Sequence, residues 1–191
     1  MNFIRMGIPD VIVIEPKVHG DERGYFVETF RQDQFEKFLG FKVNFIQDNE
    51  SRSHRGVLRG LHYQLAPFAQ SKLVRVIDGK VLDVAVDIRV GSPTFGECIA
   101  VELSGKNKKQ MFIPRGFAHG FIVLSETCTF AYKVDNYYSP ECDRGIAFDD
   151  EELKIDWKLS SNELHLSPKD TKQPKLHETR DLFEYRVNYY D

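Results

Sequence analysis

Very little in these 191 residues offers a cross-link, a membrane anchor or a surface of one charge. Cysteine occurs three times, at Cys98, Cys128 and Cys142. That is too few and too odd a number for a disulfide framework, and no Cys-x-x-Cys pairs them for zinc, so a reducing cytoplasm is the expected compartment. Uninterrupted apolar runs stop at about four residues, as at 11–14 and 121–124. A membrane helix needs about 20 and a signal-peptide core about 7–15, so neither is expected. Lysine and arginine number 26 against 29 aspartates and glutamates, which leaves a net charge of −3. Without a basic stripe a nucleic-acid binder is not expected, and without a charge excess neither is a disordered chain. Repeats, low-complexity tracts and Pro/Gly/Ser linkers are missing too, so one domain over 1–191 is the expected organisation.

What the chain has is aromatic and β-branched. Fifteen Phe, eight Tyr and one Trp accompany short apolar segments separated by turn residues. The segments fall at 11–14, 25–30, 43–47, 57–64, 73–77, 81–88, 98–103, 110–113, 120–124 and 127–134. Asp78-Gly79, Gly91-Ser92-Pro93, Ser104-Gly105 and Pro114-Arg115-Gly116 punctuate them. Strands at this spacing predict a mainly β sandwich or barrel, placed roughly at 43–150. Alternation is clearest where Leu82, Val84, Val86 and Ile88 take one face and Asp83 and Asp87 the other. One helix is expected over 31–40, with Phe35, Phe38 and Leu39 on a stripe and Gly40 as its stop. N-terminal strands and a polar C-terminal segment of short helices are expected to pack around the barrel.

Two segments carry possible chemistry. In Pro114-Arg115-Gly116-Phe117-Ala118-His119 the P-x-G-x-x-H spacing resembles the later motif of the cupins, double-sheet jelly-roll barrels with an interior site. Metal-binding cupins supply His-x-His and a glutamate from the earlier motif. Here that stretch reads His62-Tyr63-Gln64, with Phe68, Ala69 and Gln70 where the carboxylate belongs. Two histidines and a neutral amide fall short of a stable metal site, so a metal-free interior is expected. A metal-dependent cupin oxygenase is accordingly disfavoured.

Further motifs extend the resemblance. Glu22-Arg23-Gly24-Tyr25-Phe26, Gln47-Asp48-Asn49, Gly56-Val57-Leu58-Arg59-Gly60-Leu61-His62-Tyr63-Gln64 and Gly116-Phe117-Ala118-His119-Gly120-Phe121 resemble the dTDP-4-dehydrorhamnose 3,5-epimerase family. So do Tyr132-Lys133 and Asn136-Tyr137-Tyr138-Ser139-Pro140. The match runs in order from about residue 1 to 180. It implies a cupin-like jelly roll with short peripheral helices and inversion of C3 and C5 of a dTDP-4-keto sugar, without metal or other cofactor. Carried over, it makes His62 the base, assisted by Asp170, Tyr132 the general acid, and Lys72 the group beside the C4 oxygen. Arg23, Glu28, Gln47, Asp48, Asn49, Arg59, His119, Asp143 and Lys169 would hold nucleotide and sugar, and Phe26 would stack on thymine. The implied partner is a second copy of the chain, with Arg23 and Phe26 completing the neighbour's site.

These residue types suit that reaction. A C–H bond beside a carbonyl ionises only if a base waits at carbon and positive or hydrogen-bonding character waits at oxygen. Imidazole titrates near neutrality, and a carboxylate beside it fixes its tautomer. An ammonium stabilises the enolate oxygen, and a phenol on the opposite face can return the proton. Parity places Phe130, Tyr132 and Val134 on one face and Lys72, Val74 and Val76 on another, so both polar groups can point inward. Arg59 and His62 have opposite parity; if both line one site, Gly60 must mark a bulge. Read singly, each has a bland alternative: His62 a hydrogen-bonded structural histidine, Lys72 a surface charge, Tyr132 a core aromatic. Two other functions stay open, inversion of one carbon only and a sugar-nucleotide-binding module without turnover.

Overall fold

Antiparallel pairing builds two sheets, and the way each strand divides its side chains decides what lies between them. The computed structural model describes residues 1–190. The first sheet takes β1 (Asn2–Arg5), β2 (Ile12–Glu15), β5 (Gln47–His54), β7 (Lys72–Asp78), β11 (Gln110–Ile113) and β13 (Thr127–Val134), in the order β1-β2-β11-β7-β13-β5. The second takes β6 (Leu58–Gln64), β8 (Lys80–Asp87), β10 (Cys98–Ser104), β12 (Phe117–Val123) and β14 (Asp143–Gly145), in the order β10-β8-β12-β6-β14. This is the mainly β, two-sheet architecture the strand spacing predicts, in the jelly-roll form the resemblance implies. Its sheets face each other without pairing into one closed ring. A separate hairpin joins β3 (Val18–Asp21) to β4 (Gly24–Val27), and β9 (Arg89–Val90) pairs in parallel with β15 (Phe183–Glu184).

Three apolar clusters hold this together. Between the sheets lie Val74, Val76, Met111, Phe117, Phe121 and Phe130. Outside the second sheet, Leu58, Leu61, Leu82, Val84, Val86 and Ile122 are covered by Trp157, Leu176 and Phe183 of the C-terminal segment. That segment contains three short 3-10 helices and irregular chain, as expected, and also the two-residue β15. Outside the first sheet, α1 (Gln32–Leu39) inserts Phe35 against Ile12, Ile14, Leu73 and Phe112. Gly40, at φ 86°, ends the helix in the left-handed conformation that glycine adopts without a Cβ clash. Phe35 is fully buried, and truncating such a ring typically costs about 3–5 kcal/mol.

β8 is therefore buried on both faces. The predicted alternation holds, with Leu82, Val84 and Val86 facing the C-terminal cover. Asp83 and Asp87, on the other face, are both fully buried rather than solvated. Two expectations shift. No strand forms over 43–46; β5 begins only at Gln47 and runs through a polar sequence. The segment at 25–30 is strand only to Val27.

Candidate active site

A cavity of about 490 Å³ opens between the sheets, walled by Arg59, His62, His119, Phe130, Tyr132 and Asp170 among others. β6 reaches it through a bulge. His119 pairs with His62 and Phe121 with Arg59, so two steps on β12 match three on β6. The extra residue turns Arg59 and His62 inward together and leaves Leu58 and Leu61 in the outer core. Gly60 permits it: its φ is 128°, and a Cβ there would lie 2.5 Å from Gly120 Cα.

His62 is partly exposed to the cavity, and its Nε2 lies 2.5 Å from Asp170 Oδ1. Asp170 is nearly buried and is braced from behind. The Ser167 hydroxyl donates to Oδ2 at 2.8 Å, and the Asp170 N–H donates to Ser167 Oγ at 3.1 Å. Burial alone would raise this carboxyl. The hydrogen bond and charge of His62, the Ser167 hydroxyl and the Lys169 charge outweigh it and hold Asp170 below its usual value.

Tyr132 enters from the opposite sheet. Its register partner on β7 is Val74, and Val134 pairs with Lys72, so Tyr132 and Lys72 share the inner face as parity predicts. Burial raises the Tyr132 phenol despite the nearby Arg59 charge, which keeps the hydroxyl protonated. Lys72 does not line the cavity itself. Burial pulls its ammonium down to about 8, against the charges of Asp83 and Asp143 that favour it.

A second His–Asp pair lies alongside. His119 Nε2 is 2.9 and 3.1 Å from the two oxygens of Asp83, and both residues are buried. Burial pulls His119 down and pushes Asp83 up, each partly opposed by the other's charge. Asp83, Ser167 and Ser53 were not anticipated from the sequence. Asp83 had a signal, an acid on the face of β8 opposite its apolar stripe.

The remaining predicted residues divide. Asn49 pairs with Tyr132 and Gln47 with Val134, so both face inward, and Gln47 Nε2 donates to Asn49 Oδ1 at 2.8 Å. Arg59 donates to Ser53 Oγ at 3.2 Å and 3.3 Å. Asp143 pairs with Gln64 on the face shared with His62, and its Oδ2 accepts from Lys169 and from the Tyr138 hydroxyl. Asp48 departs from the expectation. Strand alternation turns it to the outer face, where it pairs with Lys133 at 2.8 Å. Arg23 and Phe26 sit on the projecting β3–β4 hairpin, with Glu28 just after it. Arg23 is 88% exposed and pairs with Asp21, Phe26 is 71% exposed, and none of the three lines the cavity of its own chain.

Gln64, at the position where a ligand would matter, is occupied with the backbone. Its Nε2 donates to the carbonyls of Phe68 and Tyr137, and its Oε1 accepts from the Ser139 N–H. Among the described residues no three His, Cys, Asp or Glu side chains gather as a metal site requires.

Comparison with known proteins points to one family. A family model described as dTDP-4-dehydrorhamnose 3,5-epimerase matches residues 5–178. The dTDP-4-dehydrorhamnose 3,5-epimerase of Escherichia coli strain K12 is 56% identical over 89% of this chain and 91% of its own. The dTDP-6-deoxy-D-glucose-3,5-epimerase of Legionella pneumophila Philadelphia 1, solved in complex with dTDP-4-keto-L-rhamnose, is 50% identical. It superposes with a TM-score of 0.93 over 97% of this chain and 99% of that one. A 3'-monoepimerase from Streptomyces bikiniensis, solved in complex with dTDP-quinovose, is more distant, at 32% identity and a TM-score of 0.87 over 94% and 92%.

Proposed function

The chain belongs to the dTDP-4-dehydrorhamnose 3,5-epimerase family, and on that premise we propose how its own residues invert a sugar. The chain is an isomerase that turns dTDP-4-dehydro-6-deoxy-D-glucose into dTDP-4-dehydro-L-rhamnose. Both carbons to be inverted flank the C4 carbonyl, so each C–H ionises by the same enolate chemistry. His62 donates Nε2–H to Asp170 and presents Nδ1 to take the proton. The electron pair moves onto the C4 oxygen, where the Lys72 ammonium stabilises the charge. Tyr132 then gives its proton to the opposite face of the carbon. Solvent restores both groups, and the cycle repeats at the second carbon.

One observation carries this reading. A base backed by a carboxylate and a phenol kept neutral by burial stand on opposite sheets across one cavity. Arg59 at the cavity wall, and Lys169 next in sequence to the wall residue Asp170, supply the local positive charge that a diphosphate needs in a chain of net −3. Gln47, Asn49, His119 and Asp143 complete the sugar and nucleotide contacts. Asp48 serves them only through its backbone or from the sheet's outer face. No metal or other cofactor takes part, so activity should survive EDTA.

The working form is a homodimer of single-domain subunits. A hairpin bearing exposed Arg23, Tyr25 and Phe26 has no core of its own to cover, and a second copy gives those residues a cavity to complete. Monomers with full activity in light scattering would contradict this. No helix among the described residues is long and apolar enough to cross a membrane, and the three cysteines are free, which suits the cytoplasm.

The test is incubation with the 4-keto sugar nucleotide in D2O, followed by proton NMR. Exchange at both C3 and C5 is expected. A second reading, inversion at C3 alone, has the structural likeness of the 3'-monoepimerase in its favour; exchange at C3 without exchange at C5 would establish it.

A further inference from the structure

Lys72 opens β7, and the strands on either side of it end at the same level. Ile113 of β11 and Val134 of β13 are its register partners. Just past those ends, one side chain from the far end of the chain ties all three strands together. The Tyr190 hydroxyl lies 2.7 Å from Oγ of Ser71, the residue before Lys72. It also accepts a hydrogen bond from the Arg115 backbone N–H at 3.1 Å, two residues past Ile113. Asp135, the residue after Val134, closes the ring. Its Oδ1 accepts from the Ser71 N–H at 2.5 Å, and its Oδ2 from Arg115 Nε at 3.1 Å.

The knot is enclosed. Ser71 is fully buried, and burial pushes the Tyr190 phenol up to about 12, so it keeps its proton. The Arg115 guanidinium lies 5.0 Å over the Tyr190 ring and donates to the Tyr189 carbonyl, while Phe41 packs 4.7 Å from the same ring. Among the described residues the Lys72 ammonium has no side-chain hydrogen-bond partner, so its backbone anchor decides where it points. Tyr190 lies past residue 178, where the match to the family model ends.

We infer that Tyr190 is a positioning residue for Lys72, its hydroxyl locking Ser71 and Arg115 against Asp135 so that the ammonium is aimed at the sugar's C4 oxygen. This rests on the role proposed for Lys72. A flexible four-carbon stem offers little precision of its own, and a misplacement of about 1 Å can cost about 10²-fold in rate.

The test is a double-mutant cycle of Tyr190→Phe, which deletes only the hydroxyl, with Lys72→Ala. Steady-state inversion of the 4-keto sugar nucleotide and thermal melting are read for each protein. Tyr190→Phe is expected to lower kcat about tenfold with KM changed less than about twofold. In the Lys72→Ala background the same substitution should change kcat by less than about twofold, because the group being aimed is gone. Wild-type kcat in Tyr190→Phe, or an equal loss in both backgrounds, overturns the inference and leaves the role of Lys72 standing. Wild-type kcat in Lys72→Ala overturns that role, and the inference with it. Should Tyr190→Phe fail to fold, Ser71→Ala runs the same cycle from the other side of the bond.

Discussion

Two His–Asp pairs lie side by side in this fold, and their surroundings give them different chemistry. His62 is 31% exposed over an Asp170 that is 4% exposed, whereas His119 and Asp83 are 8% and 0%. Asp170 has Ser167 and Lys169 to favour its charge, so it remains a carboxylate and supports proton uptake by the imidazole before it. Asp83 has His119 and the more distant Lys72, and burial still lifts it above its ordinary value. On the proposed reading, the same two side chains make an acid–base device where one is open to the cavity, and a hydrogen-bonded strut where both are enclosed.

The comparison breaks most sharply at His62. His62→Ala should lower proton exchange at C3 and C5 by ~10²–10⁴-fold with the fold intact, as judged by NMR in D2O and circular dichroism. Exchange at the normal rate would make His62 structural as well. The next effect is on pH. Lys72 loses its proton at about 8, so the rate should fall about tenfold per pH unit above that. Its folded value lies below the ordinary 10.5, so the charged form costs stability at neutral pH. That cost is relieved between about 8 and 10.5, where Lys72's own contribution makes the protein more stable as it becomes less active. Paired rate and denaturation profiles check the opposite slopes.

The smallest effect concerns the enclosed pair. His119→Ala leaves Asp83 buried without its partner and should cost about 1–3 kcal/mol in urea denaturation. It should raise KM more than it lowers proton exchange, the reverse of His62→Ala. Equal loss of exchange in both variants would erase the distinction between the pairs.

The sequence made the apolar strands legible and the polar ones not. β13 was expected at its observed bounds, since Phe130, Tyr132 and Val134 alternate cleanly. β5 was placed too early because its sequence is polar on both faces: Gln47, Asn49 and Ser51 face the sheet's inner side, Asp48, Glu50 and Arg52 its outer side. Neither face carries the apolar signature of a strand. The bulge at Gly60 was legible because two site residues of opposite parity demanded it, and the β6–β12 register contains it. Asp83 was placed on the correct face, but nothing local says that this face lies between two sheets. The role expected of Arg23 and Phe26 rests on the resemblance alone, since a turn with exposed aromatics does not say what it meets.

The central claim is that His62 and Tyr132 divide the work, one removing a proton and the other returning it from the opposite face. Tyr132→Phe keeps the ring and deletes the hydroxyl, so the direct measurement is its ratio of hydrogen–deuterium exchange to inversion at C3 and C5 in D2O. Exchange should persist with retained configuration, because His62 can give back what it took, while inverted product falls ~10²-fold or more. If exchange and inversion fall together, Tyr132 only positions the sugar. If neither falls, another group is the acid and the account fails.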